Sequence, residues 1–140
     1  PSMFDRMIKP YYKERISYTK KFANVYYFHH TCGSVYSLIP SLIEAGVDIL
    51  NPIQPGAKDM EPEKLKKDYG DLITFWGGID TQHILPHGTV EEVKYEVVRV
   101  LDIMSSGGGY ILAPAHNIQI DVPPENIVAM YEAGKQYFQR

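Results

Sequence analysis

Short apolar runs alternate along the chain with apolar stripes at helical spacing. Residues 3–21 read as mostly helical, with Pro10 starting or kinking the main segment. Val25-Tyr26-Tyr27-Phe28 is a short β-rich run. Val35, Leu38, Ile39, Leu42 and Ile43 then recur at helical spacing up to Ala45. Pro40 should kink that helix or mark its real start, and Gly46 should end it as a left-handed cap. Residues 47–50 predict a second strand. Residues 62–69 predict a helix, with proline in its first turn and Gly70 after it. A third strand is expected over 72–76. The best helix spans 89–104, opened by a Thr89/Glu92 capping box and striped by Val93, Val97, Val100, Leu101 and Met104. Gly107-Gly108-Gly109 interrupts it, residues 110–113 form a fourth strand, and Pro123-Pro124-Glu125 opens a last helix.

Strands alternating with helices imply an α/β fold with a parallel sheet and right-handed crossovers. Two architectures suit four βα units: an open doubly wound sheet, or part of a (β/α)8 barrel. A whole barrel takes about 250 residues, so 140 residues supply roughly half of one. Polar, potentially reactive residues follow every strand: His29, His30 and Cys32; Asn51 and Gln54; Asp80; His116 and Asn117. Barrels carry their chemistry at all strand carboxyl ends, whereas open sheets gather it mainly at a switch point. The pattern therefore favours a half-barrel of four parallel βα units. The chain begins at Pro1, on a run that is already helical, which suggests a piece of a longer protein whose N-terminal half is absent. Half a barrel exposes two sheet edges and apolar helix faces, so it calls for that missing half or for a second copy in a homodimer.

Composition narrows the partners. A formal charge of −3 and the lack of a basic cluster argue against nucleic acid and acidic membranes. The Lys64-Leu65-Lys66-Lys67 run reads as the wet face of a helix. The single cysteine rules out an internal disulfide and fits a reducing cytoplasm. No apolar run nears the roughly 20 residues of a membrane span.

His30 and Cys32 lie two apart at a strand end and can project from one face, with His29 on the other. An imidazole and a thiolate suit zinc, and His116, beyond the fourth strand, can supply a third ligand. A small buried thiol beside a hydrogen-bonding histidine is the alternative. Asp80, after Gly77-Gly78, is a site carboxylate, a helix cap or a turn residue. Asn51 and Gln54 bind substrate or shape a proline-rich loop. His83 and His87 flank Pro86 in a loop that reads as solvated. The glycine triplet lacks the spacing of a nucleotide loop, and no Gly-x-Ser-x-Gly elbow occurs. The aromatic residues Tyr26, Tyr27, Phe28, Phe75 and Trp76 read as core or barrel wall.

The chain resembles the uroporphyrinogen decarboxylase superfamily. The resemblance rests on His30-Thr31-Cys32-Gly33, on the run from Glu44 to Pro52, on Phe75-Trp76-Gly77-Gly78-Ile79-Asp80-Thr81, on the run from Gly108 to His116, and on Val122-Pro123-Pro124-Glu125-Asn126-Ile127. It implies the C-terminal half of a (β/α)8 barrel. It also implies one of two activities. One is decarboxylation of uroporphyrinogen III in porphyrin synthesis, without metal. The other is zinc-dependent methyl transfer between a corrinoid protein and a thiol-type acceptor. The His-x-Cys pair is similar to the methyltransferase branch, where both residues bind zinc. The third ligand of that branch is a cysteine where this chain has His116. The expected site is thus zinc on His30, Cys32 and His116, with Asn51, Gln54 and Asp80 binding substrate. The corrinoid methyl donor would sit on a partner protein. By itself the half-barrel would be inactive, and an inactive structural half-domain is the third reading.

Overall fold

The computed structural model describes residues 1–139. Four strands form one parallel sheet in sequential order: β1 (Phe28–His30), β2 (Ile49–Ile53), β3 (Thr74–Ile79) and β4 (Tyr110–Pro114). The helices are α1 (Ser2–Met7), α2 (Lys9–Phe22), α3 (Ile39–Ala45), α4 (Pro62–Tyr69), α5 (Ile84–His87), α6 (Val90–Met104) and α7 (Pro124–Tyr137). Sequential order without a reversal is that of a barrel arc and excludes the switch point of a doubly wound sheet. No helix among the described residues is long and apolar enough to cross a membrane.

Helix ends follow local chemistry. The helical run at the N-terminus splits at Ile8, and Pro10 sits in the first turn of α2. A short 3-10 turn, Tyr36–Leu38, precedes α3, so Pro40 marks a start and not a kink. Gly46 closes α3 at φ 97°, as a left-handed cap. In α6 the Thr89 hydroxyl accepts from the Glu92 amide, and the Glu92 carboxylate accepts from the Thr89 amide at 2.7 Å. All five predicted stripe residues of α6 are fully buried. The segment expected as a loop around Pro86 instead contains α5, with His83 capping its start and His87 at its end, both exposed.

The strands depart from their expected bounds in a consistent direction: each ends later in the chain. Val25 and Tyr26 are exposed and lie outside β1. Their composition suits a strand, but pairing begins only where β2 lies alongside, with Phe28 opposite Ile49. Tyr27 is held instead by Asp48, whose carboxylate accepts from its amide at 2.6 Å. Strand β2 runs through Pro52 because the β2–β3 register shifts between Leu50 and Ile53, where a missing amide hydrogen is tolerated. Strand β3 runs through Gly77, at φ 121°, where a Cβ would stand 2.9 Å from the Ile53 nitrogen. The close approach of β2 makes glycine necessary there.

One sheet face packs on the helices through Leu50, Ile53, Phe75 and Ile79, against Leu42, Leu65, Val97, Leu101 and Met130. The opposite face carries Phe28, His30, Asn51 and Trp76 and opens into a cleft of about 520 Å³. Phe28 and Trp76 meet edge to face at 5.1 Å on its wall.

Asn126 is one of two buried polar residues among the described residues, and its amide donates to the carbonyls of Leu85 at 2.9 Å and Gly88 at 2.7 Å. These bonds tie α7 to α5. Asn126→Ala is expected to cost about 1–3 kcal/mol by stranding those carbonyls, read as a lower urea midpoint; an unchanged midpoint contradicts this role. The amide of Thr89 first, and its hydroxyl second, hold the Glu92 carboxyl below its ordinary value of 4.5. A depressed folded-state pKa stabilises above the unfolded value, and the effect is lost as pH falls through the folded one. The stability gap between wild type and Glu92→Gln should therefore be present at neutral pH and close in acid. Denaturation series across pH check this; a gap that widens in acid contradicts it.

Candidate functional site at the carboxyl ends of the strands

Parallel pairing sets His30 opposite Asn51, at the carboxyl ends of β1 and β2. The Thr31 amide donates to the Asn51 carbonyl at 2.8 Å, which carries the pairing one residue past the strand. On the cleft face, His30 Nδ1 lies 2.7 Å from Asn51 Oδ1. An amide oxygen only accepts, so in the neutral Nδ1–H tautomer Nδ1 donates to it and Nε2 keeps a bare lone pair. Cys32 Sγ lies 3.4 Å from that Nε2. Both side chains are exposed.

The turn carrying Cys32 is fastened from β2 and beyond. The Gly33 amide donates to Gln54 Oε1 at 2.5 Å, and the Ser34 hydroxyl donates to the Lys58 carbonyl at 2.7 Å. Cys32 is thus not the buried thiol of the alternative reading. His29 points the other way. It is half-buried with its ring against Tyr12 at 5.5 Å. Burial first, then the nearby His30 and Arg15, lowers its pKa.

Asp80 lines a smaller pocket of about 210 Å³ with Gln54, Thr81, Gln82 and Ala115. Its Oδ1 accepts from the amides of Gln82 at 2.6 Å and His83 at 3.3 Å, and its Oδ2 pairs with His83 Nδ1 at 2.9 Å. Of the three roles open to Asp80, these hydrogen bonds are those of a turn residue, since they reach the amides of Gln82 and His83 ahead of α5. His116 is exposed after β4 and lines the wide cleft with His30, Asn51, Trp76 and Asn117. Among the described residues, no three His, Cys, Asp or Glu side chains gather as a metal cluster. The pair His30–Cys32 is brought together; His116 shares the cleft with His30.

The donor pair fits zinc. With zinc–sulfur at about 2.3 Å and zinc–nitrogen at about 2.0–2.1 Å, a tetrahedral angle sets two ligand atoms roughly 3.5 Å apart. Nε2 and Sγ stand 3.4 Å apart. The ring's other nitrogen is held by an oxygen acceptor, as is usual for metal-bound histidines. Tyr131, from α7, also lines the cleft. Nothing in its local sequence marks it for this position.

The sequence profile of the family described as "Uroporphyrinogen decarboxylase (URO-D)" matches residues 1–137. The uroporphyrinogen decarboxylase of Pseudoalteromonas translucida is 33% identical over 76 residues, which are 51% of this chain and 21% of that protein. The methylcobamide:CoM methyltransferase MtaA of Methanosarcina barkeri is 28% identical over 109 residues, 78% of this chain and 30% of that protein. A solved methyltransferase from Methanosarcina mazei superposes with a TM-score of 0.77 at 22% identity, covering 99% of this chain and 38% of that one. That likeness bears on the fold. The chain spans about a fifth to a third of the length of the curated relatives it matches. With the profile matched across residues 1–137, the chain belongs to the uroporphyrinogen decarboxylase (URO-D) family.

Proposed function

We propose that the protein carrying this chain is a zinc-dependent methyltransferase, moving a methyl group from a methylcorrinoid on a partner protein to a thiol-type acceptor. The observation that carries the proposal is the His30–Cys32 pair, with Nε2 3.4 Å from Sγ at the carboxyl end of β1 and Nδ1 2.7 Å from the Asn51 oxygen. The MtaA relative, named for methylcobamide and CoM, supports the same class of reaction. We also infer that residues 1–140 are the C-terminal portion of a single barrel domain. The open sheet face and the outer edges of β1 and β4 support a missing half, or a second copy, as its cover.

His30 and Cys32 would hold the metal, with His116 reaching it from across the cleft. When bound, zinc supplies the Lewis acidity that lowers the pKa of an acceptor thiol. In the overall reaction the methyl group would pass to the thiol sulfur, the corrinoid would keep the electron pair of the broken bond, and the thiol proton would pass to solvent. The protein's part is positioning. Asn51 and Gln54 hold the donors, while Asp80, beside Gln54 in the smaller pocket, offers a polar contact for the acceptor. Phe28, Trp76 and Ile111 give the cleft an apolar wall.

Decarboxylation of uroporphyrinogen is the second reading, favoured by the decarboxylase relatives aligned over about half of the chain. One set of measurements on the full-length protein, purified without chelator, separates the two. Metal analysis should find about one zinc per chain, lost in Cys32→Ser, with methyl transfer abolished by chelation. Well under one zinc per chain, together with chelator-resistant release of carbon dioxide from uroporphyrinogen, overturns the methyltransferase proposal.

A further inference from the structure

The two amides at the end of β2 do not simply face the cleft. Asn51 is half-buried and grips the end of β1 twice: its carbonyl accepts from the Thr31 amide, and its side-chain oxygen meets His30 Nδ1. Gln54 uses its own side-chain oxygen to accept from the amide of Gly33, the residue after Cys32. One amide therefore fixes the ring, and the other fixes the turn that carries the thiol.

A free imidazole in water favours the tautomer with hydrogen on Nε2. That tautomer would point a donor, not a lone pair, at Cys32. With the Asn51 amide oriented oxygen-first, that tautomer would also set two acceptors, Nδ1 and the Asn51 oxygen, against each other at 2.7 Å. Asn51 removes both problems by accepting from Nδ1. The register of β1 on β2 places it at the position where its side chain can do so.

We propose that Asn51 is a positioning residue, locking His30 in the Nδ1–H tautomer so that Nε2 presents its lone pair toward Cys32. That the lone pair then serves a metal rests on the zinc reading above; the tautomer does not. Asn51 thereby acts through His30, and its oxygen is not free for the acceptor.

The test uses the full-length protein labelled with [15N]histidine, stripped of metal, at a pH where imidazoles are neutral. Long-range proton–nitrogen correlation spectra should show His30 as the Nδ1–H tautomer alone. Asn51→Leu should shift it to the Nε2–H form or to a mixture, whereas Asn51→Asp, which keeps an oxygen acceptor, should retain the wild-type pattern. Titration with zinc should show a dissociation constant raised about 10- to 100-fold in Asn51→Leu and little changed in Asn51→Asp. A wild-type His30 in the Nε2–H form, or an Asn51→Leu variant with unchanged tautomer, overturns the proposal. The wild-type spectrum decides even where Asn51→Leu fails to fold. If the wild type binds no zinc, the metal reading fails by itself, and the spectra still judge Asn51.

Discussion

The pairing of β1 with β2 is the constraint on which the site depends. Strand β1 contributes only three residues to the sheet, Phe28 to His30, and their register is set by Ile49, Leu50 and Asn51. A slip of one residue would send His30 to the helix side and bring His29 into the cleft. Because side chains alternate along a strand, this register decides which histidine meets Asn51. It also brings the turn bearing Cys32 to the level of Gln54, where the Gly33 amide finds its acceptor. The chemistry of the first strand end is therefore specified by the second.

The same sheet is covered on one side only. Its helix side is closed by α3, α4, α6 and α7 around Leu50, Phe75 and the α6 stripe. Its other side leaves Phe28 exposed by 43% and carries the reactive groups. In a closed barrel that side is the interior, and strand carboxyl ends ring a common mouth. An arc of four strands can thus be well packed on one face while the other stays open.

Much of the helical layer was legible in the sequence, because helix signals are local. The Thr89/Glu92 box, the α6 stripe and the Gly46 cap depend on neighbours within one or two turns. Strand limits were less legible, because pairing and not composition decides where a ladder begins. Val25 and Tyr26 look like a strand and have no partner, whereas Gly77 and Pro52 look like breaks and lie within strands. His30 and Cys32 could be matched by spacing alone. The contact between His30 and Asn51 spans 21 residues and needed the register of two strands. Asp80 remained ambiguous for the same reason: its bonds to Gln82 and His83 are local, while the pocket beside it is assembled from three strand ends.

Zinc X-ray absorption on the full-length protein reports whether His30 and Cys32 form a metal-binding edge. The spectrum should show a sulfur scatterer at about 2.3 Å together with nitrogen at about 2.0–2.1 Å and the outer-shell signature of imidazole. The sulfur shell should disappear in Cys32→Ser. A coordination shell of oxygen and nitrogen alone, or a sulfur shell that survives the substitution, would contradict the metal-binding edge.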